Sequence, residues 1–429
     1  MSGFSRFRAR YLAEPGTAAV VWYVALLPVI ALFANRAHFG LALAGVLVVA
    51  TAAFLKHGRA GLADVGSGLA QAWRDRPAAI VWVALALTAL AALSWFWGYD
   101  LESPLKRGIV LPLLILSAVA IPGLVPRLDS RLAARAALFA MGFSAFFLAE
   151  EFLGPALYSV ARTSAENPDW LQRNPPQLGL LNFQFQLLNG SVITAAILMW
   201  PFGYLLWRAG HRTATVAIGL AIAASATPSF SQSAGASIPA GLAAFAAARL
   251  FPGLAIRAYA TLIAVIGLGA PFIYRHIGML LDGELIDRLT RHSASARILL
   301  WQDSSVAALQ RPLLGWGVDG GAYFGRAETP PAFIPQDWTV GYFAHAHNGF
   351  LQAWVDLGAA GAILLTALYV LTALKVLTLP ARLRPAAFAC LCAYTTVTLF
   401  FPGLWQSWWL MIGGYCFAFF AILARDERA

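Results

Sequence analysis

The sequence predicts an all-α, polytopic membrane protein with about twelve membrane-crossing helices and one large polar loop. Three observations carry this prediction. The chain has 429 residues, of which 60% are hydrophobic and only 12% charged, about half the charge of an ordinary soluble protein. Apolar runs of roughly 18 to 22 residues recur from end to end, each long enough to cross a bilayer. One polar stretch, residues 275–346, is far longer than any other connection.

Taken in order, a basic tail with Arg6, Arg8 and Arg10 precedes a first apolar run at 17–34, which reads as an anchor. A second run spans 39–55. A polar linker with Lys56, Arg59, Arg74 and Arg76 leads to a third, 77–97. The fourth and fifth runs are 108–125 and 134–153, followed by a loop with Arg162, Arg173 and a Pro pair. Runs six to nine are 186–206, 213–227, 236–249 and 254–273. The last three, 348–374, 383–401 and 405–424, follow the long loop. This divides the chain into helices one to nine at 1–274, a loop domain at 275–346 and helices ten to twelve at 347–429.

Twelve crossings put both termini on one side, and the basic residues choose which. With the termini cytoplasmic, the cytoplasmic segments hold 19 of the 30 Lys and Arg. Six of the others lie in the long loop, where charge is a poor orientation signal. The expected topology is therefore inside–inside. The net charge of +10 is explained by these loops and asks for no nucleic-acid partner. Cys390, Cys392 and Cys416 all sit in apolar runs and suggest no disulfide framework. The long loop has a helical pattern from Ala294 to Gln310 and turn-rich pieces such as GWGVDGG, so it reads as a small folded cap. It and the 154–185 loop share the outer face, periplasmic in a bacterium with two membranes.

The tenth run begins with the most informative stretch, AHAHNGFLQAWVDLGAAG at 344–361. His345 and His347 stand at its mouth beside Asn348. Asn348, Gln352 and Asp356 recur every fourth residue and so form one polar stripe on one helix face. At 1.5 Å per residue, Asp356 lies about 12 Å deeper than Asn348. Polar groups at such depth are costly in lipid and are expected to face protein or water. An imidazole has an ordinary pKa near 6.5, so either histidine can accept a proton. His-x-His can also ligate zinc, but no Cys or closely spaced His completes a tetrahedral set, and no metal is expected even with Asp282, Glu284, Asp287 and Asp319 nearby in sequence. The same face gathers Arg275, Arg288, Arg291, Arg297, Arg311 and Arg326, with Arg162 and Arg173. Guanidinium forks grip phosphate oxygens in pairs.

His347-Asn348, nine residues, then Gly358-x-x-Gly361 resembles the signature of the O-antigen ligases. Arg297-x-x-x-Trp301 and Arg311-Pro-Leu-Leu-Gly-Trp-Gly317 are similar to that family's long periplasmic loop, and Ser231-Gln232-Ser233-Ala-Gly to its short outer loop. The wider superfamily includes O-antigen polymerases and protein O-oligosaccharyltransferases. The resemblance implies a GT-C-type glycosyltransferase of the bacterial inner membrane, without cofactor or metal. It would move a glycan from undecaprenyl diphosphate to the lipid A-core oligosaccharide, inverting the anomeric centre. Carried over by motif, His347 is the base and Arg297 a diphosphate ligand. His345, Asn348, Arg288, Arg311, Arg162 and Arg173 are further candidates for substrate binding. Relatives often place an arginine near the start of the helix after the second outer loop; here that region reads Leu188-Asn189-Gly190-Ser191. A polymerase, a protein-glycosylating transferase or a lipid-linked glycan transporter are the alternative readings. For Gly358 and Gly361, plain membrane packing is the expectation.

Overall fold

The computed structural model describes residues 15–33, 38–125, 128–153, 176–226, 231–280, 293–321, 345–400 and 403–428. Among these the chain forms thirteen α-helices and no strand. They are α1 (Pro15–Phe33), α2 (His38–Asp75), α3 (Ala78–Leu93), α4 (Glu102–Ala120), α5 (Ser130–Leu153), α6 (Pro176–Arg208) and α7 (Arg212–Ala226). The rest are α8 (Gln232–Leu250), α9 (Pro252–Leu280), α10 (Ser293–Gln310), α11 (Gly349–Val376), α12 (Arg384–Phe400) and α13 (Ser407–Asp426). Each of the twelve apolar runs falls on one of these helices. Seven of the helical segments described are long and apolar enough to cross a membrane. They make the chain a multi-pass membrane protein, whereas α7 and α12, at 15 and 17 residues, are short for a crossing. The helical pattern seen at 294–310 is α10.

Two elements differ from the expectation. The polar linker after the second run is helical: α2 runs on to Asp75 through a single non-helical residue, Gly58, at φ 58° and ψ −138°. Val65 and Leu69, one turn apart, pack on Leu124 and Val49. This apolar ridge on a charged segment is what makes it a helix rather than a loop. The tenth run is also broken, at Gly358, with φ 62° and ψ −157°.

Most of the core is one continuous apolar cluster in which Val192, Ile193, Ile197, Leu205, Phe350, Leu357 and Trp409 are fully or almost fully buried. Close approach of α9 to α11 is set at Gly267. A Cβ there would lie 2.2 Å from Thr366 Oγ1, and its carbonyl accepts the Trp354 indole N–H at 2.9 Å. That contact fixes α11, and hence its mouth, against the helix bundle.

Candidate active site at the α11 mouth

Asn348 starts α11. Its backbone is extended, and its side-chain oxygen accepts the N–H groups of Phe350 at 3.1 Å and Leu351 at 3.0 Å. It thereby supplies two of the four amides a helix start leaves free. It is completely buried, and its side chain also reaches the Tyr274 hydroxyl on α9. The preceding residue, His347, is left-handed at φ 47°, uncommon for a residue with a Cβ. The two imidazoles meet edge to face with ring centroids 4.2 Å apart. His345 also lies against Gly403, where a Cβ would stand 3.2 Å from its Cδ2. Neither Nδ1 has a partner among the described residues.

Arg297, on the first turns of α10, faces the same place. Its Nη1 donates to Gln232 Oε1 at 2.5 Å. Gln232 is the first residue of α8, whose cap is Ser231; Ser231 Oγ accepts the Ala234 N–H and donates to Asn189 Oδ1 on α6 at 2.5 Å. The short SQSAG loop and the Asn189 region therefore meet Arg297, and the N-terminus of α8 adds its positive dipole end nearby. Burial lowers the Arg297 pKa from its ordinary value; a guanidinium remains charged regardless. That charge acts on His347. Burial first, then His345, then Arg297 push the His347 pKa down to about 3. Burial lowers His345 too, offset in part by its own backbone and by the Asp319 carboxylate.

The polar stripe below the mouth is a strut. Gln352 Oε1 accepts the Leu404 N–H at 2.7 Å and its Nε2 donates to Asp356 Oδ2 at 3.1 Å. Asp356, 1% exposed, also accepts the Trp405 indole N–H at 2.6 Å. So Gln352 and Asp356 tie α11 to the 403–405 loop and face protein, as their depth demanded. The break at Gly358 is the second anchor, which corrects the expectation of plain packing. Val355 and Asp356 carbonyls accept the N–H groups of Trp316 and Gly317, at 2.9 and 2.8 Å. Ala359 and Ala360 N–H groups donate to the Pro312 and Leu313 carbonyls, at 2.7 and 3.3 Å. The RPLLGWG segment is thus laid into the gap in the helix. A Cβ on Gly358 would stand 2.3 Å from the Leu313 carbonyl carbon, and one on Gly315 2.5 Å from Val355 O. This clasp carries α10, and with it Arg297, to the α11 mouth.

Of the residues singled out in the sequence, His345, His347, Asn348 and Arg297 come together. Arg311 lies instead over the Trp316 and Tyr99 rings, 4.0 and 5.5 Å from their centroids. Arg162, Arg173 and Arg288 lie outside the described residues. Among those described, no group of three or more His, Cys, Asp or Glu could hold a metal ion. Sequence reasoning missed Gln232 as the Arg297 partner, the Trp405 anchor and Asp303. The last is half-buried on α10, pushed up to about 6 by burial, and about 9 Å beyond Arg297 along the helix.

Comparison with known proteins bears on this region. Provisionally named polysaccharide ligases are 22% identical over 139 residues in Rickettsia conorii and 24% identical over 143 residues in Rickettsia prowazekii. Each match covers 32% of this chain and 34% of the relative, so the chain matches about a third of the length of these proteins. Residues 190–366, which hold Gln232, Arg297, His347 and Gly358, match the O-antigen ligase family, and over that segment the resemblance read from the sequence is shown.

Proposed function

We propose that the chain is a membrane glycosyltransferase of the O-antigen ligase type. It takes a glycan from undecaprenyl diphosphate and passes it to the lipid A-core oligosaccharide on the periplasmic face of the inner membrane. The observation that carries this reading is that Arg297, tied to the α8 start by its 2.5 Å hydrogen bond to Gln232, lies close enough to the His345–His347 pair for its charge to act on His347. A ring nitrogen of His347 takes the proton of an acceptor sugar hydroxyl as the oxygen attacks the anomeric carbon. The bond from that carbon to the diphosphate breaks, and its electron pair leaves with the diphosphate. Arg297 stabilises the charge growing there. A single displacement inverts the anomeric centre, and neither metal nor nucleotide enters the step.

In this structure His347 is a weak base, chiefly because it is buried and in part because His345 and Arg297 stand near it. A bound diphosphate neutralises that cation and returns part of the lost basicity, so the donor arms the base. Asn348, buried beside the Tyr274 hydroxyl, is a further polar group suited to a phosphate or sugar oxygen. A transporter would also use a broken helix at membrane depth. Here the groups freed at Gly358 are taken up by the 312–317 clasp rather than left for a ligand, which favours the transferase.

The test is a reconstituted reaction with a lipid-linked glycan and three acceptors in parallel: lipid A-core, a second lipid-linked glycan, and a pilin-like protein. Transfer to lipid A-core alone is the expected result. Transfer to the second glycan or to the protein makes the chain a polymerase or a protein glycosyltransferase. Movement of the donor across the bilayer with no transfer to any acceptor overturns the reading.

A further inference from the structure

Between them α2, α3, α4, α11, α12 and α13 line a cavity of about 1050 Å³, one end of which, at Leu404 and Trp405, lies next to the Gly403 that touches His345. That is at or above the roughly 300–1000 Å³ of ordinary small-molecule sites. Its wall is apolar, built from side chains such as Leu87, Leu114, Leu365, Tyr369, Phe417 and Phe420. Such a surface gives water few partners.

The two ends of the cavity differ. At one end the lining is Arg76, Lys375, Arg425 and Arg428, with Asp75 the one carboxylate among the lining residues. These residues sit at the ends of α2, α11 and α13, and they are joined: Arg425 donates to the Pro122 carbonyl at 2.8 Å and lies beside Asp75, while Arg428 donates to the Thr378 carbonyl at 3.2 Å. The other end is closed by Leu404 and Trp405, which Gln352 and Asp356 hold in place. The cationic rim and Asn348 are at opposite ends of α11, 28 residues long, so about 40 Å separates them. A group at the rim is therefore not the group that meets His347.

We propose that this cavity is a binding site for an anionic phospholipid of the leaflet on the rim side, its acyl chains inside and its phosphate headgroup on Arg76, Lys375, Arg425 and Arg428. Charge complementarity chooses the headgroup: four cations stand against Asp75 and against Asp426, which is itself paired with Arg208, and this excess favours an anionic lipid over a zwitterionic one. The chains fill an apolar space that six helices leave between them. The bound lipid then belongs to the resting protein rather than to the transfer reaction.

The test begins with the full chain, purified in detergent by gel filtration and extracted with organic solvent. About one phospholipid per chain is expected, with anionic headgroups several-fold enriched over their share in the membrane. No retained phospholipid, a headgroup ratio equal to that of the membrane, or a retained polyprenyl phosphate overturns the proposal. A variant with Arg425→Gln and Arg428→Gln should keep a lipid and lose the enrichment. Where that variant does not fold, the unaltered delipidated protein decides. Phosphatidylglycerol vesicles should raise its melting temperature saturably and phosphatidylcholine vesicles should not; equal rises contradict the proposal.

Discussion

His347 is held neutral by its surroundings, and two consequences follow. Its folded pKa of about 3 lies below the ordinary 6.5, so the native site stays unprotonated where the unfolded chain already binds a proton. Stability contributed by this residue is present above pH 6.5 and is lost as pH falls from 6.5 toward 3. Denaturant unfolding of the unaltered protein and of His347→Phe should diverge in that window, with the unaltered protein more acid-sensitive. The acid limb of kcat/KM for transfer should likewise lie well below pH 6.5. Arg297→Gln removes one of the charges lowering His347 and should move that limb upward while slowing transfer by roughly 10²- to 10³-fold, the scale of losing one charge-stabilising donor. Unchanged transfer in Arg297→Gln would contradict a phosphate-gripping role. Chemistry narrowed the sequence to two histidines and a set of arginines, and only the resemblance to the O-antigen ligase signature picked His347 and Arg297 among them. The suppressed basicity was not legible, because it comes from burial and from neighbours distant in sequence.

At the scale of elements, the site depends on a helix that stops and restarts. Gly358 occupies a backbone region essentially reserved for glycine, worth about 1–3 kcal/mol to any other residue. Gly358→Ala also drives a Cβ into the Leu313 carbonyl. It should therefore lower unfolding free energy by at least that much and reduce transfer, since the clasp positions α10. An Ala variant as stable as the unaltered protein would contradict the clasp. Trp405→Phe tests the other anchor: it removes a donor from buried Asp356 and should cost about 1–3 kcal/mol by denaturant unfolding. The stripe Asn348, Gln352, Asp356 was visible as a four-residue period, and its burial was the right expectation. Its partners were not visible, because Leu404 and Trp405 come from a turn some fifty residues later. The break was hidden for a related reason: a Gly-x-x-Gly pair reads the same whether a helix packs closely or parts to admit a turn-rich segment. The amphipathic half of α2 was hidden by its charges, although the Val65–Leu69 ridge was there to be read.

Across the whole molecule, hydropathy alone located each helical run, since lipid forces long apolar segments to satisfy their backbone internally. The count of crossings is less direct, because α7 and α12 are short and α2 and α11 bend at glycines. The orientation proposed from basic residues predicts that the 311–317 segment lies outside and the α11–α12 turn inside. A membrane-impermeant thiol reagent should label Leu313→Cys, 74% exposed, from the periplasm, and should reach Arg382→Cys only after the membrane is opened. Labelling in the reverse order would turn the protein over and remove the acceptor from reach.

The most direct measurement is the rate of glycan transfer to lipid A-core by purified His347→Ala and Asp303→Asn, each with an unaltered melting temperature. A loss of about 10²- to 10⁴-fold is expected for the first and near-normal transfer for the second. Full transfer by His347→Ala, or a loss confined to Asp303→Asn, would contradict His347 as the base.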